Sequence, residues 1–264
     1  GYNRALKQIE SDYVLLLNSD VEVTAGWLQP LVEVLDNYPD VAAVAPKLRS
    51  VERPDEFEYA GAAGGFIDYL GYPFCRGRIL SSVERDEGQY DDCREIFWAS
   101  GAALCCRREL FMELGGFDED FFAHMEEIDI QWRMQLAGWK IMVEPRSVVY
   151  HLGGGTLPTS SRKVYLNHRN NLAMLYKCSS PMQRMVVAVV RPFTDMLEAL
   201  AYLITLHPQR AWAVLRAWGT FIAWHKELSA KRKAVRRDKK PRNIYRASIV
   251  VRYLFGCRKF KNMM

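Results

Sequence analysis

The chain has 264 residues, 49% of them apolar, and a formal net charge of +5. That length allows one large domain or one domain with an extension, with enough apolar residues for a sizeable core. Residues 226–242 hold nine Lys or Arg against two acids, which leaves the rest of the chain slightly negative. The basic character is therefore a local C-terminal feature and not that of a nucleic-acid-binding body. No run of 18 or more apolar residues is free of charge, so no transmembrane helix is expected. No charged-then-apolar signal pattern opens the chain. The six cysteines form no C-x-x-C pair, and free thiols in a reducing, cytoplasmic compartment are the expectation.

Residues 2–9 read as a helix already under way with no initiator Met, as if cut from a longer protein. Residues 13–18 read as a buried strand, its apolar run ending in Asn18 and Ser19, that delivers Asp20 at its carboxyl end. In open α/β sheets ligands sit beyond that end, and a carboxylate there suits a hard divalent cation. The plainer alternative is a strand and a turn. Thr24 can cap a helix running to about Tyr38, and Pro39-Asp40 stops it. Val41–Ala45 is a short buried strand. Alternation of helix and strand predicts an α/β fold with a mostly parallel sheet flanked by helices.

Residues 50–95 form a long excursion rich in Gly and Tyr, of the kind used as lids or binding loops. Its aromatics argue that it packs on the body. Ile96–Ala99 and Ala102–Cys106 read as strands around Gly101, and Arg107–Leu114 as a helix. A second helix covers about His124 to Ala137, ended by Gly138. Ile141–Val143 and Val148–Tyr150 read as strands, with His151 ending the second. From Arg162 onward the chain looks helical. A domain of residues 1–177 followed by a helical, basic extension of residues 178–264 is the expected division.

Three features converge on a site: Asp20 at one strand end, Glu126, Glu127 and Asp129 in the first turn of a helix, and His151 at another strand end. Glu126 and Glu127 lie about 100° apart on that helix, so one can face a ligand while the protein holds the other. A solvated first turn favoured by the helix dipole is the alternative for these acids. For His151 the alternative is a strand-end imidazole held by backbone. Arg169-Asn170-Asn171 reads either as a diphosphate or acceptor contact or as a helix-surface cluster. The Gly153–Thr156 loop reads either as a lid or as a plain flexible loop.

Four segments together resemble the family 2 glycosyltransferases of GT-A fold, of the bacterial rhamnosyltransferase and cell-surface polysaccharide type. They are Leu15–Val23, which resembles the D-x-D region with Asn18 in place of the first Asp; Trp98–Leu104 with Arg107–Phe111; Gly115–Phe122 with Glu126–Arg133; and Val149–Thr156. They span residues 1 to about 175. The resemblance implies that Asp20 and His151 ligate Mn²⁺ or Mg²⁺, with imidazole favouring Mn²⁺. It places Asn18 near the nucleotide ribose or metal waters, and Trp98 and Gly101 below the donor sugar. Glu126 joins these substrate-binding candidates. Glu127 stands where the family has its base, an Asp, and Asp129 is the alternative base.

The implied activity is inverting transfer from a nucleotide-diphosphate sugar to a hydroxyl of a glycan or lipid-linked saccharide. The family's first nucleotide-binding units would then precede Gly1. The Q-x-x-R-W signature of processive synthases is absent, which favours single additions. Trp residues beside the basic run suit an anionic inner-membrane surface, giving a peripheral enzyme; packing of those helices on the domain is the alternative. A non-catalytic membrane-associated scaffold and a nucleotidyltransferase are the competing functions.

Overall fold

The computed structural model describes residues 1–153 and 160–263. The short helix α1 (Tyr2–Leu6) leads into strand β1 (Tyr13–Leu17), then β2 (Val21–Val23), helix α2 (Leu28–Asn37) and strand β3 (Val41–Ser50). Thr24 does not cap α2; its hydroxyl donates to Val148 O and ties β2 to a later strand. Leu31, Val34 and Leu35 of α2 are buried on Val41 and Val44 of β3, which follows because they repeat at helical spacing against an unbroken apolar strand.

The excursion is ordered. Its strands β4 (Gly65–Asp68), β5 (Pro73–Cys75), β6 (Arg78–Ile79) and β7 (Ser82–Val83) form a small antiparallel meander. Phe57, Phe66 and Phe74 are fully buried there. Next come β8 (Arg94–Ile96), β9 (Ala103–Arg107), α3 (Arg108–Glu113), α4 (Glu126–Leu136) and β10 (Lys140–His151). The two strands expected over residues 141–150 are one strand with a register shift between Glu144 and Val148.

The main sheet has the order β1-β9-β3-β10-β2, with β8 also on β10. The fold is α/β as expected, but the sheet is mixed, not mostly parallel. Only β3 and β10 pair in parallel; β1–β9, β3–β9, β10–β2 and β10–β8 are antiparallel. The reason is that β9 enters from the turn at residues 99–102 and not from a crossover helix.

Helices α5 (Ser161–Cys178), α6 (Pro181–Ile204), α7 (Pro208–Ala223) and α8 (His225–Ala234) follow, then β11 (Ile244–Tyr245) and α9 (Ile249–Leu254). The expected division at residue 177 does not separate two bodies. Strand β11 adds in parallel to β4, and Phe260 packs among Phe66, Phe74 and Tyr90. The Ile249 and Phe260 amides donate to Asp68 and Glu84 of the excursion. The C-terminal residues thus complete the small sheet. Among the described residues no helix is long and apolar enough to cross a membrane, and all six cysteines are free thiols.

Candidate active site

The register of β2 on β10 builds the first half of the site. His151 pairs with Val21, and the Leu152 amide donates to Asp20 O at 3.1 Å. The residue that ends β10 is thereby set beside the residue that follows β1. His151 Nε2 lies 3.3 Å from Asp20 Oδ1. On the other side of the ring, Nδ1 lies 3.4 Å from Glu58 Oε1. The ring is 7% exposed, so it sees these two carboxylates and little water. Burial by itself would lower the imidazole pKa, but Glu58 and Asp20 outweigh it and raise the value.

Glu58 has no counterpart among the residues expected from sequence. It lies in the excursion, where no periodicity marks it. It is fixed by its own amide on Leu48 O and by the Ala60 amide on Oε2. Nδ1 makes no hydrogen bond of good geometry, so Glu58 acts on the ring as a neighbouring negative charge that raises its basicity. The donor set of Asp20 and His151, with Glu58 behind the ring, therefore fits a divalent cation of the Mn²⁺ or Mg²⁺ kind. His168, Asp195 and Glu198 also come close enough to share an ion. However, both Asp195 oxygens receive bonds from Arg191, and Oδ2 also takes Trp218 Nε1. A cation would have to displace a guanidinium there, so that group is a structural knot between α5, α6 and α7.

The second half of the site stands at the start of α4. The Asn18 amide donates to Ala102 O at 2.9 Å, which joins the end of β1 to the turn at residues 99–102. Gly101 in that turn faces Glu127, and a Cβ at Gly101 would lie 3.7 Å from the Glu127 Cβ. Gln131 holds the two together. Its Nε2 donates to Ala99 O and Glu127 O, and its Oε1 accepts from the Ala99 amide. Gln131 is a second residue that the sequence does not single out. One Glu127 oxygen and one Glu126 oxygen are enclosed with no hydrogen-bond partner. Burial, and after it the neighbouring Glu126, push the Glu127 carboxyl up to about 8. Burial also raises Glu126.

The loop before α4 is strained. Phe122, His124 and Met125 all adopt positive φ, at 66°, 70° and 71°, a conformation that costs non-glycine residues free energy. Asn170 offsets it by donating to Phe121 O, Ala123 O and His124 O. Arg169 donates to Asp120 O and Phe121 O and stacks on Trp224 at 4.7 Å. Its guanidinium is thus spent on the loop, which corrects the expectation that Arg169 contacts substrate.

Two more expectations are corrected. Asp129 is fully buried on the opposite side of α4, paired to Arg133 at 2.8 Å and Lys177 at 2.8 Å. A base must reach an acceptor hydroxyl, and Asp129 faces the core. Trp98 is 3% exposed, donates to Phe66 O, and fills the space a side chain at Gly65 would need. It is a core residue beneath the site. Asn18, Asp20, Gly101, Glu126, Glu127 and His151 remain connected around residues 99–102. Most of the Gly153–Thr156 loop lies outside the described residues.

The mixed sheet carries a carboxylate–imidazole pair at the carboxyl ends of two strands and a buried acid at the start of α4, and its fold is that of the GT-A glycosyltransferases. Residues 1–115 match the family model "Glycosyl transferase family 2", a match to somewhat under half of the chain. It is 32% identical over 147 residues to an N-acetylglucosaminyl-diphospho-decaprenol L-rhamnosyltransferase of Mycobacterium tuberculosis, covering 53% of this chain and 47% of that protein. It is 30% identical over 150 residues to the O-antigen biosynthesis protein RfbC of Myxococcus xanthus, covering 56% of this chain and 12% of that one. The chain thus spans under half the length of these relatives. The crystal structure of GalNAc-T7 with UDP, GalNAc and Mn²⁺ superposes with a TM-score of 0.53 at 17% identity, over 72% of this chain and 36% of that one. That likeness concerns the fold.

Proposed function

We propose that the protein is an inverting glycosyltransferase that moves a sugar from a nucleotide-diphosphate donor to a hydroxyl of a glycan or lipid-linked saccharide in cell-surface polysaccharide synthesis. The observation that carries this reading is the Asp20–His151 pair backed by Glu58, joined through residues 99–102 to Glu127, which has one buried oxygen without a hydrogen-bond partner. Asp20 and His151 would hold Mn²⁺ or Mg²⁺, which when bound neutralises charge on the departing diphosphate.

The chain's own residues supply the rest. Asn18 borders the donor beside Asp20. Gly101 leaves open the space in front of Glu127 that a larger residue would narrow. Glu127, in its ionised form, takes the proton of the acceptor hydroxyl as that oxygen attacks the anomeric carbon. One displacement from the face opposite the leaving group inverts that carbon. Burial makes Glu127 a stronger base than an exposed carboxylate, at the cost of a smaller ionised fraction at neutral pH. Gln131 keeps its backbone in register with the turn. Glu126 sets its charge environment and borders the acceptor. The relatives' names, which include a decaprenol-linked acceptor and O-antigen synthesis, support a lipid-linked saccharide as acceptor, met at the inner face of the membrane by a peripheral enzyme.

The test is release of nucleoside diphosphate from UDP-, dTDP- and GDP-sugars as Mn²⁺ is titrated, with Asp20→Ala and Glu127→Gln in parallel. Metal-dependent release lost in Asp20→Ala, and acceptor transfer lost in Glu127→Gln, are expected. Acceptor transfer undiminished in Glu127→Gln would overturn the base assignment.

A further inference from the structure

Helix α6 runs for 24 residues, about 36 Å at the usual rise. Its inward arc carries Gln183, Val187, Arg191, Asp195 and Ala199, all buried. Its outward arc is continuous and apolar. Met185, Val189, Phe193, Leu197, Leu200 and Ile204 are 51–73% exposed, and every exposed position of α6 is an apolar residue or proline. A solvated helix face carries charge; this one carries none, and the patch lies beyond what scattered surface apolar residues explain. At the turn into α7, Leu206 is 87% exposed and held at a positive φ of 61°. A non-glycine residue with so exposed an apolar side chain gains nothing from that conformation in water.

Arginines flank the face on aromatic rings, with Arg184 over Tyr176 and Arg210 over Tyr202. Beside the start of α6 lies an open cavity of about 440 Å³, lined by Tyr176, Ser229 and the cations Arg184, Arg232, Lys233 and Arg237. No acid lines it. Arg232 and Arg237 donate to the terminal carbonyls of α5, from Tyr176 to Ser179, which fixes their place. Burial, then repulsion by Arg237 and Arg184, lowers the Arg232 pKa to about 10. The cations are crowded in a cavity that offers them no carboxylate.

We propose that the outward face of α6 and the Leu206 tip seat in the monolayer of an anionic membrane, and that the Arg184–Arg232–Lys233–Arg237 cavity takes the phosphate of an anionic lipid headgroup there. Charge complementarity selects this occupant: a second copy would present the same uncompensated cations, whereas an anionic monolayer supplies both the apolar phase and the counter-charge. The proposal rests on the reading of the protein as a transferase that meets its acceptor at a membrane, and it adds which surface does so.

The experiment is co-sedimentation of the protein with vesicles of phosphatidylcholine alone and with phosphatidylglycerol added. Phe193→Glu/Leu197→Glu and Arg184→Glu/Lys233→Glu are compared with wild type, with circular dichroism as the folding check. These side chains line neither the catalytic site nor the buried arc of α6. Binding only to the anionic vesicles, weakened at least tenfold by either double variant and by raised salt, is expected, as is unchanged release of nucleoside diphosphate without vesicles. Equal binding by folded variants would overturn the proposal. So would a dimer by light scattering that Phe193→Glu/Leu197→Glu dissolves while wild type ignores vesicles. Vesicle binding that follows both variants, with no turnover of any donor, would support this surface while sinking the transferase reading.

Discussion

Glu126→Gln tests the electrostatics of the site without touching the proposed base. In the folded protein the Glu127 carboxyl stands at about 8, against 4.5 for a free glutamate, with burial the larger cause and Glu126 the second. Glutamine keeps the shape of Glu126 and removes its charge. The burial contribution remains, and burial raises Glu126 as well. The Glu127 pKa should therefore fall part of the way toward the free value, each unit of the fall being ~1.4 kcal/mol in the balance of its two protonation states. If Glu127 is the base, kcat/KM for acceptor transfer rises with pH and levels off above about 8 in wild type. In Glu126→Gln the same limb shifts toward acid. The assay is a pH series of kcat/KM at saturating Mn²⁺, with both enzymes in overlapping buffers. An unmoved limb in Glu126→Gln, with transfer otherwise intact, would refute the coupling of these two acids to the rate.

Stability should move the other way in Glu127→Gln. A carboxyl raised in the folded state binds a proton there that the unfolded chain has released, so stability falls as pH rises from about 4.5 to about 8. The variant should melt a few degrees above wild type at pH 8 and about level with it at pH 4, by calorimetry; equal Tm differences at both would count against a buried Glu127. Glu58→Gln should weaken Mn²⁺ binding about 10- to 100-fold with little effect on folding, measured by calorimetric titration; unaltered affinity would remove Glu58 from the site. Asp129→Asn should cost about 3–5 kcal/mol of stability, because it leaves Lys177 and Arg133 short of a partner. If folded Asp129→Asn keeps the wild-type pH profile, its role is structural; a lost basic limb would restore it as a base. Asn170→Ala should loosen the strained loop and lower kcat more than it raises KM. Faster hydrogen exchange confined to residues 118–127 is the readout, and unaltered exchange there would contradict the brace.

Much of the site was legible because its parts are local patterns. An apolar strand ending in Asn18-Ser19-Asp20, acids opening a helix at Glu126 and Glu127, and a strand ending in His151 each appear within a few residues. What sequence does not reveal is which polar side chains have spent their hydrogen-bonding capacity. Arg169 and Asp129 have the chemistry of site residues, but loop carbonyls take the guanidinium and buried cations take the carboxylate. Glu58 and Gln131 lay hidden for the converse reason. Their roles arise from partners 93 and 32 residues away, His151 and Ala99, and no spacing rule spans such distances.

The sequence by itself determined the α/β class and carried the resemblance to the family 2 glycosyltransferases, because apolar periodicity and strand-end motifs are written over short stretches. It also singled out Asp20, Glu126, Glu127 and His151 of the candidate site, though not Glu58. The tertiary structure decided the mixed direction of the sheet, since strand order depends on where the turn at residues 99–102 inserts β9. It decided that the C-terminus completes the small sheet of the excursion instead of standing apart. It also decided that Glu126 and Glu127 each keep a buried oxygen without a hydrogen-bond partner while Asp129 is paired, because desolvation and pairing depend on what the whole fold packs around a group.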